Sequence, residues 1–501
     1  MRLAATAAAS LLLVGAAPIE PIVRTTLGPV RGTARDGAFL FAGLPYAAPP
    51  IGERRWKATM PATPWRGIRD ATQFGPDCPQ PPRSGVTNPQ SEDCLTLNIA
   101  TPDPTARKLP VIVSIHGGAY FAGSGRELLG QGVPAIVRDG VVLVAPNYRI
   151  GRLGFFAHPA LSAEAPRATA NYWLMDQVAA LKWVRANIAR FGGDPDNVTI
   201  IGCSAGGSSI NALMASPAAR GLFARASAHS AGGLFNANRA LAQGEQQGLA
   251  FAGRVGVAGN DAATLSSLRA LSVRQILAGD SGAPDFGAVV DRTWLPRPLS
   301  VAFARGEIAR VPLISGSTSN EASVFGLMGF DATVLARRFG IDLAAVAPAY
   351  GPLDAKELLR QVQTDFIFTA AAMGMTAMAA RNGAPTWSYH FDYVNDARRG
   401  AVPGAAHCED RGYWFGTQHD PSPRDAAVGR TMRGYLLNYA RTGNPNGPGL
   451  PVWKPSRPGM VSPLRIGTEA AMAPDFRKRQ LTPWYAKWEA ETGERLGISG
   501  R

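Results

Sequence analysis

Short apolar runs without polar alternation recur along the chain at 110–115, 141–145, 198–201 and 311–314. Such runs are the pattern of strands buried on both faces of a largely parallel sheet. The stretch 387–391 reads as a further strand. At 176–190 the period changes, and Val178, Leu181, Val184 and Ile188 fall on one face of a predicted helix. The segment 29–41 is different again, with Asp36-Gly37 at its centre, and predicts an antiparallel hairpin ahead of the parallel sheet. Length and composition agree with one large α/β domain. No internal repeat and no Ser/Gly linker breaks the 501 residues, so 18–501 is expected to form one large domain with long inserts.

Several of these runs end in residues that carry chemistry. The run 198–201 leads into Gly202-Cys203-Ser204-Ala205-Gly206-Gly207 and then a helix-like segment, the strand, turn and helix of a nucleophile elbow. In a chain with 56 glycines the G-x-S-x-G pattern also arises in ordinary loops. Three other segments supply the parts an activated serine needs. The run 110–115 enters His116-Gly117-Gly118-Ala119-Tyr120, where small residues leave amides free for an oxyanion. After 311–314, Gly316-Ser317-Thr318-Ser319-Asn320-Glu321 sets a carboxylate in a polar loop, and His407 lies in the loop 403–410. The resulting order is Ser, Glu, His. The alternative reading of Glu321, taken alone, is a solvated loop acid.

These motifs stand within a longer ordered set: Phe41-Ala42-Gly43-Leu44-Pro45-Tyr46, Glu92-Asp93-Cys94-Leu95-Thr96-Leu97-Asn98, Asn147-Tyr148-Arg149, Asp176-Gln177, Phe191-Gly192-Gly193-Asp194-Pro195 and Thr442-Gly443-Asn444-Pro445. In that order they resemble type-B carboxylesterases, the family of bacterial para-nitrobenzyl esterases and animal cholinesterases, nearly end to end. The resemblance implies an α/β-hydrolase fold with a mostly parallel sheet flanked by helices. It also implies a carboxylic ester hydrolase using Ser204 as nucleophile, His407 as base and Glu321 as orienting acid. The oxyanion hole would be Gly118, Ala119 and Ala205, with Cys203 in a supporting position and Ser230 either supporting Glu321 or a simple loop hydroxyl. It further implies that Cys78 pairs with Cys94, Arg55 with Glu92 and Arg149 with Asp194.

The chain departs from the family where Cys203 replaces the usual glutamate of the elbow, Ala119 the last oxyanion-loop glycine, and Ala322 a glycine after the acid. Ala170 and Trp173 stand where a Gly-x-x-Gly pattern is common, which suggests a different packing before Asp176 and a narrower gorge. Cys203 precedes the candidate nucleophile and Cys408 follows the candidate base, so an assembled Ser204–His407 pair brings the two cysteines close. A similar Cys-Ser and His-Cys arrangement occurs in fungal feruloyl esterases and tannases, where a disulfide ties the two segments. Two free, buried thiols are the alternative. The same likeness gives a narrower reading, specificity for aromatic or polyester-like esters. A non-catalytic, neuroligin-like recognition protein is disfavoured, because Ser204, Glu321 and His407 are all present.

Residues 1–17 combine Arg2, an apolar stretch through Leu11-Leu12-Leu13-Val14 and Gly15-Ala16-Ala17, the pattern of a cleavable signal peptide too short to span a membrane. Cleavage near Ala16 or Ala17 predicts an exported, periplasmic or secreted protein, although Pro18 is awkward there and an uncut anchor is the alternative. Export gives the four cysteines an oxidising compartment. The formal charge of +14 is scattered over short clusters such as Arg54-Arg55, Arg398-Arg399 and Arg477-Lys478-Arg479, with no nucleic-acid motif beside them. No metal spacing, phosphate loop or dinucleotide fingerprint appears, so no cofactor is expected, and His116, His158, His229, His390 and His419 read as packing or surface residues. The expected partner is a small-molecule ester. Tyr120, Phe121, Tyr172, Trp173, Phe325, Met328 and Phe330 are candidates for an apolar gorge, or simply core. Oligomeric state is not legible.

Overall fold

The computed structural model describes residues 20–82, 87–167, 170–235, 239–280, 286–327, 337, 339–418 and 421–498. The candidate leader 1–17 lies outside them. A sheet of eleven strands forms the centre. In spatial order they are Ala470–Met472, Leu464–Ile466, Thr386–Phe391, Leu313–Thr318, Arg225–His229, Gly193–Cys203, Leu109–Ile115, Val142–Pro146, Thr96–Thr101, Ala38–Pro45 and Thr33–Arg35. The seven from Leu464–Ile466 to Val142–Pro146 are parallel, and the strands flanking them are antiparallel.

The unbroken apolar runs are explained by two covered faces. Val111, Val113 and Ile200 pack into one core with Leu174, Val178 and Leu181 of helix Tyr172–Asn187. Ile112, Ile201 and Ile314 point into the other, against Met432, Leu436 and Tyr439 of helix Pro423–Thr442. The first helix starts four residues before the predicted 176 and passes into a 3-10 turn, Ile188–Phe191, that ends at Gly192 with φ of 88°.

The hairpin forms with Arg35 opposite Ala38 and both turn residues at positive φ, 52° for Asp36 and 74° for Gly37, as a two-residue primed turn demands. Its first arm is shorter than the sequence pattern suggested. Pro29–Arg31 pairs with Ile22–Arg24 and Arg69–Asp70 in a separate three-stranded sheet. The chain changes sheets at Gly32, where a Cβ would come within 2.6 Å of the Leu40 carbonyl oxygen.

Parallel order has a direct consequence for function. The strands ending at Ile115, Cys203, His229, Thr318 and Phe391 all deliver their following loops to the same carboxyl edge, the usual place for a site in an open α/β sheet.

Candidate active site

Strand Gly193–Cys203 ends immediately before Ser204, and helix Ala205–Ala215 begins immediately after it. Ser204 sits at φ 61°, ψ −126°, a conformation that costs an L-residue about 1–3 kcal/mol. Its surroundings hold it there: the Ser204 amide donates to the His229 carbonyl at 3.0 Å, and its own carbonyl accepts from Ser208 at 2.9 Å. The flanking glycines are required by close approach. A Cβ on Gly202 would lie 2.5 Å from the Gly206 carbonyl, and one on Gly206 would lie 2.2 Å from the Ile115 oxygen.

The oxyanion-loop candidate lies against this elbow. A Cβ on Gly117 would meet the Ser204 Cβ at 3.3 Å. Gly118, with φ of 101°, turns the chain so that its carbonyl accepts from Phe121 and Ala122 at 3.1 and 3.0 Å. Ala119 keeps a positive φ of 51° although it carries a Cβ. Among the described residues the amides of Gly118 and Ala119 donate no hydrogen bond. Ala205, the first residue of its helix, has no intrahelical acceptor for its amide.

Glu321 and His407 are brought together by loops stapled to one another. Asn320 donates its amide to the Ala405 carbonyl, Ala405 donates to Ser319 Oγ, and His407 donates to Ser323 Oγ, each at 2.9 Å. Glu321 is fully buried; its Oε1 accepts from the Thr318 amide at 2.7 Å and its Oε2 from His407 Nδ1 at 2.5 Å. The opposite ring nitrogen, Nε2, is buried and has no hydrogen-bond partner. Phe368 packs on the His407 ring with centroids 4.8 Å apart. It is delivered by a π-helical turn, Thr364–Thr369, whose Thr364 Oγ1 accepts from the Ala322 amide at 3.2 Å. Sequence periodicity does not register a single wide turn, so Phe368 was not anticipated.

Ser204, His407, Gly118 and Ala119 share the wall of one cavity of about 630 Å³. Cys203 and Cys408 also face it, joined by a disulfide with Cα atoms 6.1 Å apart; Cys78 and Cys94 form the second bridge. Both expected pairings are therefore present. Ser230, by contrast, makes no hydrogen bond to Glu321: its Oγ is buried without a hydrogen-bond partner, and its amide donates to the Gly316 carbonyl.

Sequence pattern alone predicts packing or surface roles for His116 and His229, yet both line the cavity. His116 stacks on Tyr148 and contacts the Gly117 carbonyl through Nδ1 at 2.9 Å. His229 Nε2 lies 2.7 Å from Ser227 Oγ, and Nδ1 lies 2.7 Å from the Tyr389 hydroxyl, which donates to the fully buried Asp410. His158 and His390 are core residues, burial pushing the His390 imidazole down to about 3; His419 lies outside the described residues. Of the gorge candidates, Phe121 lines the cavity, while Tyr172 and Trp173 are core and Tyr120 packs against the stacked Phe155 and Trp173 rings. Phe325 is also buried, beside Phe368; Met328 and Phe330 lie outside the described residues. Among the described residues, no group of three or more His, Cys, Asp or Glu side chains is placed to hold a metal ion.

Arg55 pairs with Glu92 as expected, at 2.5 Å. Arg149 does not pair with Asp194. Its guanidinium takes Asp176 in a bidentate grip, both contacts at 2.8 Å, while Asp194 accepts from the nearby Asp196 amide. Topology forbids the expected pair. Arg149 follows the carboxyl end of its strand, whereas Asp194 opens strand Gly193–Cys203, so the two lie at opposite edges, roughly 30 Å of strand apart.

The family model for the carboxylesterase family matches residues 19–349 and 351–484. The chain belongs to this family. It is a carboxylic ester hydrolase of the α/β-hydrolase fold. Among its relatives, the para-nitrobenzyl esterase of Bacillus subtilis (strain 168) is 34% identical over 455 residues, covering 85% of this chain and 90% of that protein. The fumonisin B1 esterase of Sphingopyxis macrogoltabida is 35% identical over 400 residues, covering 76% and 73% respectively. A solved PNB esterase superposes with a TM-score of 0.82 at 31% identity, covering 93% of this carboxylesterase and all of that chain.

Proposed function

We propose that this carboxylesterase cleaves small-molecule esters through an acyl-enzyme, with Ser204 as nucleophile, His407 as general base and then acid, and Glu321 as the orienting carboxylate. The observation that carries this reading is the asymmetry of His407: Nδ1 is committed to a buried carboxylate, while Nε2 is unpartnered on a ring that shares a cavity wall with Ser204. Ser204 attacks the ester carbonyl as Nε2 accepts its proton. The amides of Gly118, Ala119 and Ala205 hold the oxyanion, and protonated His407 then donates to the departing alcohol. Water enters by the same route in reverse and frees the acid. Glu321 keeps the proton-bearing Nδ1 fixed and stabilises the imidazolium. No cofactor takes part.

A phosphonate or organophosphate ester provides the direct test. Mass spectrometry should find the adduct on the peptide containing Ser204, and Ser204→Ala should neither label nor turn over an aryl ester. Labelling elsewhere, with full activity in Ser204→Ala, would remove the assignment.

Residues 18–501 act as one catalytic unit in this reading, since the three reacting groups come from widely separated parts of one sheet. Export is supported by the leader pattern and by two disulfides. Among the described residues no helix is long and apolar enough to cross a membrane. The narrower alternative, preference for aromatic or polyester-like esters, is favoured by one feature, the Cys203–Cys408 bridge beside the cavity.

A further inference from the structure

We propose that Arg411 makes this enzyme selective for esters that carry a second, ionised carboxylate, held by the guanidinium while the ester lies at Ser204. The inference rests on the catalytic reading above and names its substrate class.

Arg411 opens the short helix Arg411–Phe415, and its amide donates to the Cys408 carbonyl at 3.1 Å, so its backbone is fixed to the segment that carries His407. It lines the cavity that contains Ser204 and His407, and among the described residues it is the one Lys or Arg on that wall. Its nearest acid is Glu127, with 3.8 Å between Nη1 and Oε2. That separation exceeds hydrogen-bond reach, and with the two side chains 46% and 33% exposed such a pair contributes little. Glu409, closer in sequence, is directed elsewhere: Oε2 accepts from the Ala406 amide at 2.6 Å and Oε1 from Arg398 at 3.2 Å.

The contrast with other arginines is informative. Arg55, Arg149 and Arg269 each close on a carboxylate with two short hydrogen bonds. Among the described residues the Arg411 guanidinium makes no hydrogen bond, only the 3.8 Å contact to Glu127 on the same wall, so its planar fork faces a cavity of about 630 Å³ that exceeds what a simple acetyl ester fills. The net charge of +14 draws anions toward the whole surface. Arg411 adds the local, directional contact that distinguishes an ester bearing a carboxylate from its neutral counterpart.

Two matched pairs test this with the full chain: monoethyl adipate against ethyl hexanoate, with the charge on the acid side, and 4-acetoxybenzoate against its methyl ester, with the charge on the alcohol side. In the unmodified enzyme at least one pair should favour the anionic member in kcat/KM. Arg411→Gln should reduce that anionic-to-neutral ratio by about 10- to 100-fold, the range for a charge-assisted contact, mainly through KM. Arg411→Lys should restore part of it. A ratio that favours neither anion, or one unchanged in Arg411→Gln, overturns the proposal. So does an equal loss on anionic and neutral members, which would make Arg411 structural. If none of the four esters is hydrolysed, the catalytic reading itself fails first.

Discussion

Two histidine–carboxylate units border one cavity in this molecule, and they differ in how the imidazole is committed. In the Glu321–His407 unit the acid takes Nδ1 and the other nitrogen is left open. In the Asp410–His229 unit both nitrogens are engaged, Nδ1 beside the Tyr389 hydroxyl and Nε2 beside Ser227 Oγ, and Asp410 also accepts from Tyr389 and from Trp414 Nε1 at 3.0 Å. Burial pushes the Asp410 carboxyl up, but the hydrogen bond and charge of His229, with Tyr389 and Trp414, outweigh it and hold the group below the usual carboxylate range. Under the proposed mechanism the same residue types make a base in one place and a clamp in the other. What separates them is one uncommitted nitrogen.

The largest effect that could break this comparison is loss of chemistry. His407→Ala should lower kcat by about 10⁴- to 10⁶-fold, as Ser204→Ala should, whereas His229→Gln should cost less than about tenfold; comparable losses would mean that the roles are shared. Next comes the acid. Glu321→Gln should reduce kcat by about 10³- to 10⁴-fold in steady-state assays near pH 7. Asp410→Asn should remain active yet unfold more easily, by about 3 kcal/mol in urea titrations, because a buried network loses its charged member. An Asp410→Asn protein as stable as the parent would remove the clamp from the argument.

A smaller effect tests acidity. The depressed Asp410 contributes stability that is fully present above the ordinary carboxylate range, near 3.9, and is lost as pH falls through its lower folded value. The stability gap between parent and Asp410→Asn should therefore narrow as pH drops below about 4, measurable by thermal unfolding across pH. A gap that widens there would show that Asp410 is not ionised in the fold.

Much of the first unit is legible in the sequence because each part follows a strand. Ser204, Glu321 and His407 are announced by an apolar run, a turn of small or polar residues and chain order. The second unit has no such signature: His229 ends a strand as an isolated residue, and Asp410 reads as one more acid of a polar loop. Their partnership comes from a parallel sheet that sets Tyr389 beside His229, a relation of space rather than spacing. The same limit explains Arg149, whose acid sits on helix Tyr172–Asn187 rather than at the far end of the elbow strand. Ala170 shows the converse. It stands where glycine is common and still adopts a positive φ of 66°, so the local backbone persists without the residue that favours it.

The cysteine connectivity bears on how the enzyme matures. Four cysteines permit three pairings. The one present joins first to second and third to fourth, with separations of 16 and 205 residues. This is the pairing that a chain entering an oxidising compartment from its amino end makes by default: Cys78 meets Cys94 early, and Cys203 then waits unpaired until Cys408 arrives. On the proposed export route, correct oxidation needs no reshuffling, and the Cys203–Cys408 bond closes only after the chain through residue 408 has emerged.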